Sequence, residues 1–210
     1  MLAGAGGLVV VVGAGIGTLV SEIAATRAVI GVEPSTALAR TALNMGRPVI
    51  LGSGDQLPFP GRSVGVTVAE RVLQHVHDQE AVLAECARVV TADGLILVAD
   101  LVDLGRRLCE WRAAAGVVRP DAKARTAAWA AESGWSAHAE TFWCRTGSYA
   151  DARALTNFPQ WAGLAGAAGA DVSAYDVESW EASWEQVAAS GCAFTFEWPI
   201  VVTAMRRQGH

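Results

Sequence analysis

Lysine is scarce in this 210-residue chain, and basic side chains nowhere form a run. Lys and Arg total 16 against 21 Asp and Glu, a formal net charge of -5. A protein that tracks a phosphate backbone carries a basic stripe, so nucleic acid is not the expected partner. Cysteine is equally uninformative as a framework. Cys86, Cys109, Cys144 and Cys192 show no CxxC spacing. That argues against a zinc site and against disulfides, and it fits a reducing compartment, the cytoplasm. No metal centre is expected. Long apolar runs are missing too. Met1 to Val12 is apolar but short, broken by glycines and without a basic flank. It reads neither as a membrane span nor as a signal peptide, so no membrane partner is expected.

What is present is apolar and small. Hydrophobic residues make up 52% and charged residues 18%, enough for a sizeable core in a single domain over 1–210. Leu8 to Val12 is a continuous apolar run, β-branched from Val9 on, the signature of a strand buried on both faces. Glycines follow at once, and apolar residues from Leu19 then recur at helical spacing. Ala28 to Val32 reads as a second strand ending on Glu33, and Ser35 caps a helix to Leu43. Pro48 to Leu51, Val64 to Ala69 and Leu95 to Ala99 read as three further strands. Asp78 caps a helix between the last two, and Thr91 to Gly94 reads as the turn after it. Strands alternating with helices predict an α/β fold: a Rossmann-like, doubly wound, mostly parallel sheet.

After Asp103 the pattern changes. Residues 104–157 are expected to form a helical insert on the substrate side. Beyond them come a helix over Phe158 to Ala170, a short strand over Val172 to Tyr175 and a helix over Ser179 to Ala189. A last strand over Ala193 to Met205 contains Pro199, which points to a bulge or an edge position. Trp180 and Trp184 fall four apart on one helical face and read as packing. Trp111, Trp129, Trp135, Trp143 and Trp161 either line an apolar substrate pocket or pack the insert.

Gly13-Ala14-Gly15-Ile16-Gly17 turns a strand into a helix. Such a turn lets backbone approach a ligand closely, and by itself it does not separate SAM (S-adenosylmethionine) from a dinucleotide. Glu33, at a strand end, either accepts the two hydroxyls of a ribose or is a solvated carboxylate. Asp55 either accepts an exocyclic adenine amine or closes an Asx turn. Glu70 and Arg71 are either crevice residues or a surface ion pair. His75 and His77 stand two apart. His75 is a candidate general base, because an imidazole titrates near neutrality, and equally a structural histidine.

These residues occur as an ordered set: Val12 to Gly17, Gly31-Val32-Glu33-Pro34-Ser35, Gly54-Asp55-Gln56-Leu57-Pro58-Phe59, Glu70 to Val76, Glu85 to Val90, and Asp93-Gly94-Leu95. The succession resembles class I SAM-dependent methyltransferases, in particular the group similar to the ubiquinone/menaquinone-biosynthesis enzymes (the methyltransferase type 11 domain), over residues 8–101. The resemblance implies SAM as cofactor and S-adenosylhomocysteine as product. It implies that Gly13, Ala14, Gly15 and Gly17 pass beneath the methionine part and the ribose, with Glu33, Pro34 and Ser35 at the ribose. Asp55 and Gln56 would meet the adenine, and Glu70, Arg71 and Val72 would border the methyl group.

Three departures stand out. Val11 replaces the usual acid, Val64-Gly65 replaces the usual Phe-Asp, and seven residues precede Leu8 where the family generally carries helices. Val11 is expected to weaken SAM binding. A second chain, a homodimer mate or a different protein, is expected to cover the face those helices would close. The expected activity is methyl transfer to a small-molecule acceptor, with a natural product among the candidates. The alternative is a methyltransferase-like protein that no longer methylates and serves as a partner subunit or a cyclase. A flavin or nicotinamide oxidoreductase is the third reading.

Overall fold

The computed structural model describes residues 6–101, 110, 114, 122–156, 158–190 and 196–208. The chain divides into two compact units. The first takes in 1–100, 121–140 and 201–210, and the second 101–120 and 141–200.

The first unit is built on four neighbouring parallel pairings. β1 (Val9–Val12) lies between β2 (Val29–Glu33) and β4 (Val64–Glu70). β3 (Val49–Leu51) adds to β2, and β5 (Val90–Leu101) adds to β4. With β6 (Trp135–Thr146) and β7 (Phe196–Arg207), the sheet order is β3-β2-β1-β4-β5-β7-β6. The strand order reverses between β1 and β4, and a crevice opens at such a switch point beyond the strands' carboxyl ends. In register, Val12 stands beside Val32 and Ala69, and Glu33 beside Leu51.

Alternate residues of each strand feed two cores, as the two-residue side-chain period requires. Val10, Val12, Val32 and Val98 pack with Leu83, Cys86 and Val89 of α3 (Gln79–Val89) on one face. Val9, Val11, Val66 and Leu97 pack on the other with Val20 of α1 (Thr18–Ala24) and Ala39 and Ala42 of α2 (Thr36–Asn44). All four valines of β1 are buried, which is why that strand shows no polar alternation. Ala130 of α4 (Ala122–Glu132) and Trp135 join the first core. Trp129 and Trp135 lie 6.4 Å apart there, with the Arg207 guanidinium over the Trp135 ring.

The second unit holds α5 (Tyr149–Thr156), α6 (Phe158–Ala167) and α7 (Ala174–Ser190). Ala162 and Ala165 pack with Trp161, Val177 and Trp180, and Trp180 meets Trp184 edge-on at 5.8 Å. Arg153 pairs with Glu181. Trp129, Trp135, Trp161, Trp180 and Trp184 serve packing, Trp143 is exposed, and Trp111 lies outside the described residues.

Four expectations need correction. The insert is not all helical, because β6 runs through it from 135 to 146. No strand forms over 172–175. Asp171 to Ser173 are irregular and α7 starts at Ala174, because Val177, Trp180 and Trp184 set a helical rather than an alternating period. The turn at 91–94 is absorbed into β5 as an irregularity, since Val64 pairs with Val90 but Val66 with Leu95. Pro199 is not on an edge strand, because β7 lies between β5 and β6. It sits among the first residues of β7, ahead of the buried Val201, Thr203 and Met205.

The glycines at the N-terminal end of β4 explain one departure noted above. A Cβ on Gly65 would run into the Gly6 carbonyl oxygen, and one on Gly94 would come within 2.7 Å of the Gly65 oxygen. Three backbones pass too closely there for any side chain.

Candidate active site

The glycine loop is shaped by left-handed backbone at Gly13 (φ 63°), Gly15 (φ 56°) and Gly17 (φ 80°), which costs glycine little and other residues more. At Gly13 space adds to the requirement, since a Cβ would stand 2.6 Å from Val72 Cγ2. At Gly15 a Cβ would meet nothing within 4 Å, so the loop backbone is open there. Gly31 lets the loop settle onto β2, with its hypothetical Cβ 2.6 Å from that of Ala14. Arg47 Nη1 donates to the Ile16 carbonyl at 2.8 Å and braces the turn from the side.

Glu33 ties this loop to the next one. It is 5% exposed, and its Oε2 accepts the Gly15 N–H at 2.8 Å while Oε1 accepts the Ser35 N–H at 2.9 Å. A buried carboxylate is tolerated because both oxygens are hydrogen-bonded. The Ser35 hydroxyl in turn accepts the Leu38 N–H and caps α2. Glu33 is thus neither a purely solvated carboxylate nor idle. It holds the Gly15 and Ser35 backbones at one point, and about half of its four lone-pair sites remain for further donors.

Asp55 is exposed and lies on the loop after β3. Ser53 Oγ donates to its Oδ1, and the Gln56 N–H donates to Ser53 O at 3.3 Å. The expected Asx turn does not form at Asp55, because the Leu57 N–H two residues on donates to Glu85 Oε2 instead.

The segment after β4 is held at several points. The Arg71 N–H donates to Ala99 O at 2.7 Å, and the His75 N–H to Val72 O at 2.8 Å. The buried Gln79 side chain donates to Leu73 O at 2.8 Å. Asp78 caps α3 through the Ala81 N–H. Arg71 adopts left-handed backbone (φ 55°), a strained choice for a long side chain. Its guanidinium lies 3.8 Å from the Glu70 carboxylate, with both side chains partly exposed.

A cleft of about 330 Å³ gathers these parts at the switch point. Val12, Gly13 and Pro34 line one side, Gly54 and Asp55 another, and Val72, Val76 and His77 a third. Of the residues named from the sequence, Gly13, Pro34, Asp55 and Val72 line this cleft, and Glu33 braces it from behind. Glu70, Arg71 and His75 lie outside its lining. His75 is exposed, and its Nε2 is 3.0 Å from Gln74 Nε2, which makes that ring nitrogen an acceptor. His77, not His75, faces the cleft.

Other parts of the site escaped the sequence reading. Gln79 and Arg47 are among them, and Glu85 and Arg88, present there only as part of a motif, carried no assigned role although their i, i+3 spacing on a helix was the available signal. Cys86, one residue beyond Glu85, is not a nucleophile. Burial pushes its thiol up to about 12, so it stays protonated at neutral pH. Among the described residues no group of three His, Cys, Asp or Glu side chains converges as a metal would require. Among them, too, no helix is long and apolar enough to cross a membrane.

Residues 10–98 match the methyltransferase domain family. An uncharacterized methyltransferase from Bacillus pumilus (strain SAFR-032) is 35% identical over 93 residues, 42% of this chain and 44% of that protein. The match thus spans less than half the length of that curated relative. The solved structure of the YcgJ protein from Bacillus subtilis superimposes with a TM-score of 0.66 at 17% identity, over 98% of this chain and 94% of that one. The [4+2]-cyclase SpnF superimposes with a TM-score of 0.60 at 18% identity, over 100% and 78%. The match to the methyltransferase domain family thus spans residues 10–98, under half of the chain, and the seven-stranded sheet shares its fold with these solved structures.

Proposed function

We propose that this protein is a SAM-dependent methyltransferase acting on a small-molecule acceptor. The observation that carries the reading is the cleft at the β1/β4 switch point, with Gly13 at the start of the glycine loop on one wall, Asp55 on another, and Glu33 bonded to the Gly15 and Ser35 backbones beside it. Its volume of about 330 Å³ suits an adenosine-sized group. The residues fit SAM in this reading. The backbone at Gly13, Ala14, Gly15 and Gly17 passes beneath ribose and methionine, and the open space at Gly15 admits them. Glu33 offers its remaining lone pairs to the ribose hydroxyls, with Pro34 and Ser35 alongside. Asp55 accepts the adenine amine, with Gln56 beside it, and Glu70, Arg71 and Val72 border the methionine end.

Bound SAM supplies an electrophilic methyl group on a sulfonium, and S-adenosylhomocysteine is the product. The chain's part is to hold both reactants in line and to exclude water. No particular acid or base is obligatory for such a displacement. For an acceptor that loses a proton, we assign His75 the accepting role from outside the cleft's lining, through the Nε2 lone pair that the Gln74 amide otherwise occupies. The acidic charge balance suits a small metabolite better than nucleic acid. The scattered cysteines fit a cytoplasmic setting, and a second chain, identical or different, accompanies the protein in this reading.

One observation favours a second reading, a relative that binds the cofactor without methylating. The [4+2]-cyclase SpnF shares the fold along the whole of this chain. Thermal unfolding with and without SAM tests binding, because any ligand of the native state stabilises it by about 2.7 kcal/mol at a hundred times its Kd. No shift in melting temperature at millimolar SAM overturns the proposal. A clear shift without methyl transfer to any of a panel of small acceptors favours the second reading. Native mass spectrometry of the purified protein reports retained cofactor and assembly state together.

A further inference from the structure

The loop that carries Asp55 continues as Leu57-Pro58-Phe59-Pro60, with Leu57 buried in the core and the Phe59 N–H donating to the Leu57 carbonyl at 2.8 Å. Proline has no N–H to donate, and it biases the residue before it toward extended backbone. The Leu57 and Phe59 carbonyls find a partner in another element. Arg88 of α3 supplies it, with Nη2 donating to Leu57 O and Nη1 to Phe59 O, each at 3.0 Å. The Leu57 N–H donates to Glu85 Oε2 at 2.8 Å. Glu85 and Arg88 fix each other in a two-point pair, Nε to Oε1 at 2.6 Å and Nη2 to Oε2 at 2.8 Å. The guanidinium holds the Glu85 carboxyl below the usual carboxylate range. One turn earlier, the same helix contributes Val82 to the cleft lining. A single ion pair thus fixes three backbone groups, beginning two residues beyond Asp55.

We infer that the Glu85–Arg88 pair positions Asp55, and that through Asp55 it sets the preference for a purine with a 6-amino group over one with a 6-oxo group. The inference deepens the proposed function and rests on it. A carboxylate accepts from an exocyclic amine, whereas against an oxo group it meets a second acceptor and repels it. That contrast operates only while the carboxylate is fixed relative to the cleft. Asp55 is exposed and has water to turn to. A loop released from α3 lets it swing outward, and the gain against the amine and the penalty against the oxo group vanish together.

The test is calorimetric binding of S-adenosylhomocysteine and S-inosylhomocysteine to the full chain. One favourable charged hydrogen bond set against one repulsion gives the wild-type protein a ~10- to 100-fold preference for the adenosyl ligand. In Arg88→Ala the preference falls to within ~3-fold, mostly by loss of adenosyl affinity. Arg88→Lys, which keeps a cation near one carbonyl, recovers part of it. Asp55→Asn lowers the preference as well, and combining it with Arg88→Ala adds nothing further, as expected of residues acting through one contact. A general loss of packing would weaken both ligands alike and leave their ratio unchanged. A folded Arg88→Ala protein with the wild-type ratio overturns the inference. If that variant does not fold, Arg88→Lys and Glu85→Gln take its place, and an unchanged ratio in both overturns it equally. Wild-type protein that binds both ligands without preference refutes the inference alone. Wild-type protein that binds neither refutes the proposed function as well.

Discussion

Glu33→Gln changes one atom at the point where two loops meet. The carboxylate is 5% exposed and accepts the Gly15 and Ser35 N–H groups, one on each oxygen. A glutamine keeps one acceptor and turns an NH₂ group toward the other N–H. One charge-assisted bond is lost and one donor faces another, a cost of about 2–3 kcal/mol. For a chain of this length each kcal/mol shifts the midpoint by about 2–4 °C, so the unliganded variant melts about 4–12 °C lower. The same change withdraws a charged acceptor from the ribose hydroxyls, which weakens S-adenosylhomocysteine binding ~10- to 100-fold. Differential scanning fluorimetry without ligand measures the first effect and calorimetric titration the second. A variant with the wild-type midpoint refutes the bracing role. One that melts early but binds with unchanged affinity refutes the assignment of Glu33 to the ribose.

Gly13→Ala places a Cβ 2.6 Å from Val72 Cγ2 at a φ of 63°, and the combined strain and overpacking cost about 2–4 kcal/mol in urea unfolding. Arg71→Gly relieves left-handed backbone that Arg71→Ala retains, so the glycine variant is expected to be the more stable of the two by about 1 kcal/mol. An alanine variant of equal or greater stability would show that the backbone there is unstrained. Glu85 titrates below its ordinary value of 4.5 because Arg88 hydrogen-bonds its charged form. A depressed folded value means stability that is present above 4.5 and is lost as pH falls through the folded value. Glu85→Gln removes that share of the acid dependence, which parallel melting curves between pH 3 and 7 would reveal.

Much of this molecule is legible in one dimension because it depends on local pattern. The valine run of β1 is buried on both faces and reads as a continuous apolar stretch. The glycines of the first loop answer to φ angles of 56° to 80°, a requirement local to each residue. Ser35 and Asp78 cap the helices they were expected to cap. Glu33 and Asp55 are legible by position, since each follows a strand whose end can be located from the turn after it.

Other features depended on what the chain meets after folding. Val172 to Tyr175 read as a strand because four residues carry too little periodicity to outweigh the helix that follows. The place of β7 inside the sheet depends on β6, a strand exposed along most of its length whose polar and small residues give no alternating pattern. Gly65 looked like a lost motif and proved to be a contact with Gly6, 59 positions upstream in the numbering. The sequence by itself determined the first five strands, the glycine turn, Glu33 at a strand end and Asp55 in the loop after β3, because backbone dihedrals and side-chain periodicity are local. Only the tertiary structure decided that Glu33 binds the Gly15 backbone, that His77 rather than His75 faces the cleft, and that Arg88 holds the Asp55 loop. Those are contacts in three dimensions, and sequence spacing does not encode which carbonyl a guanidinium will reach.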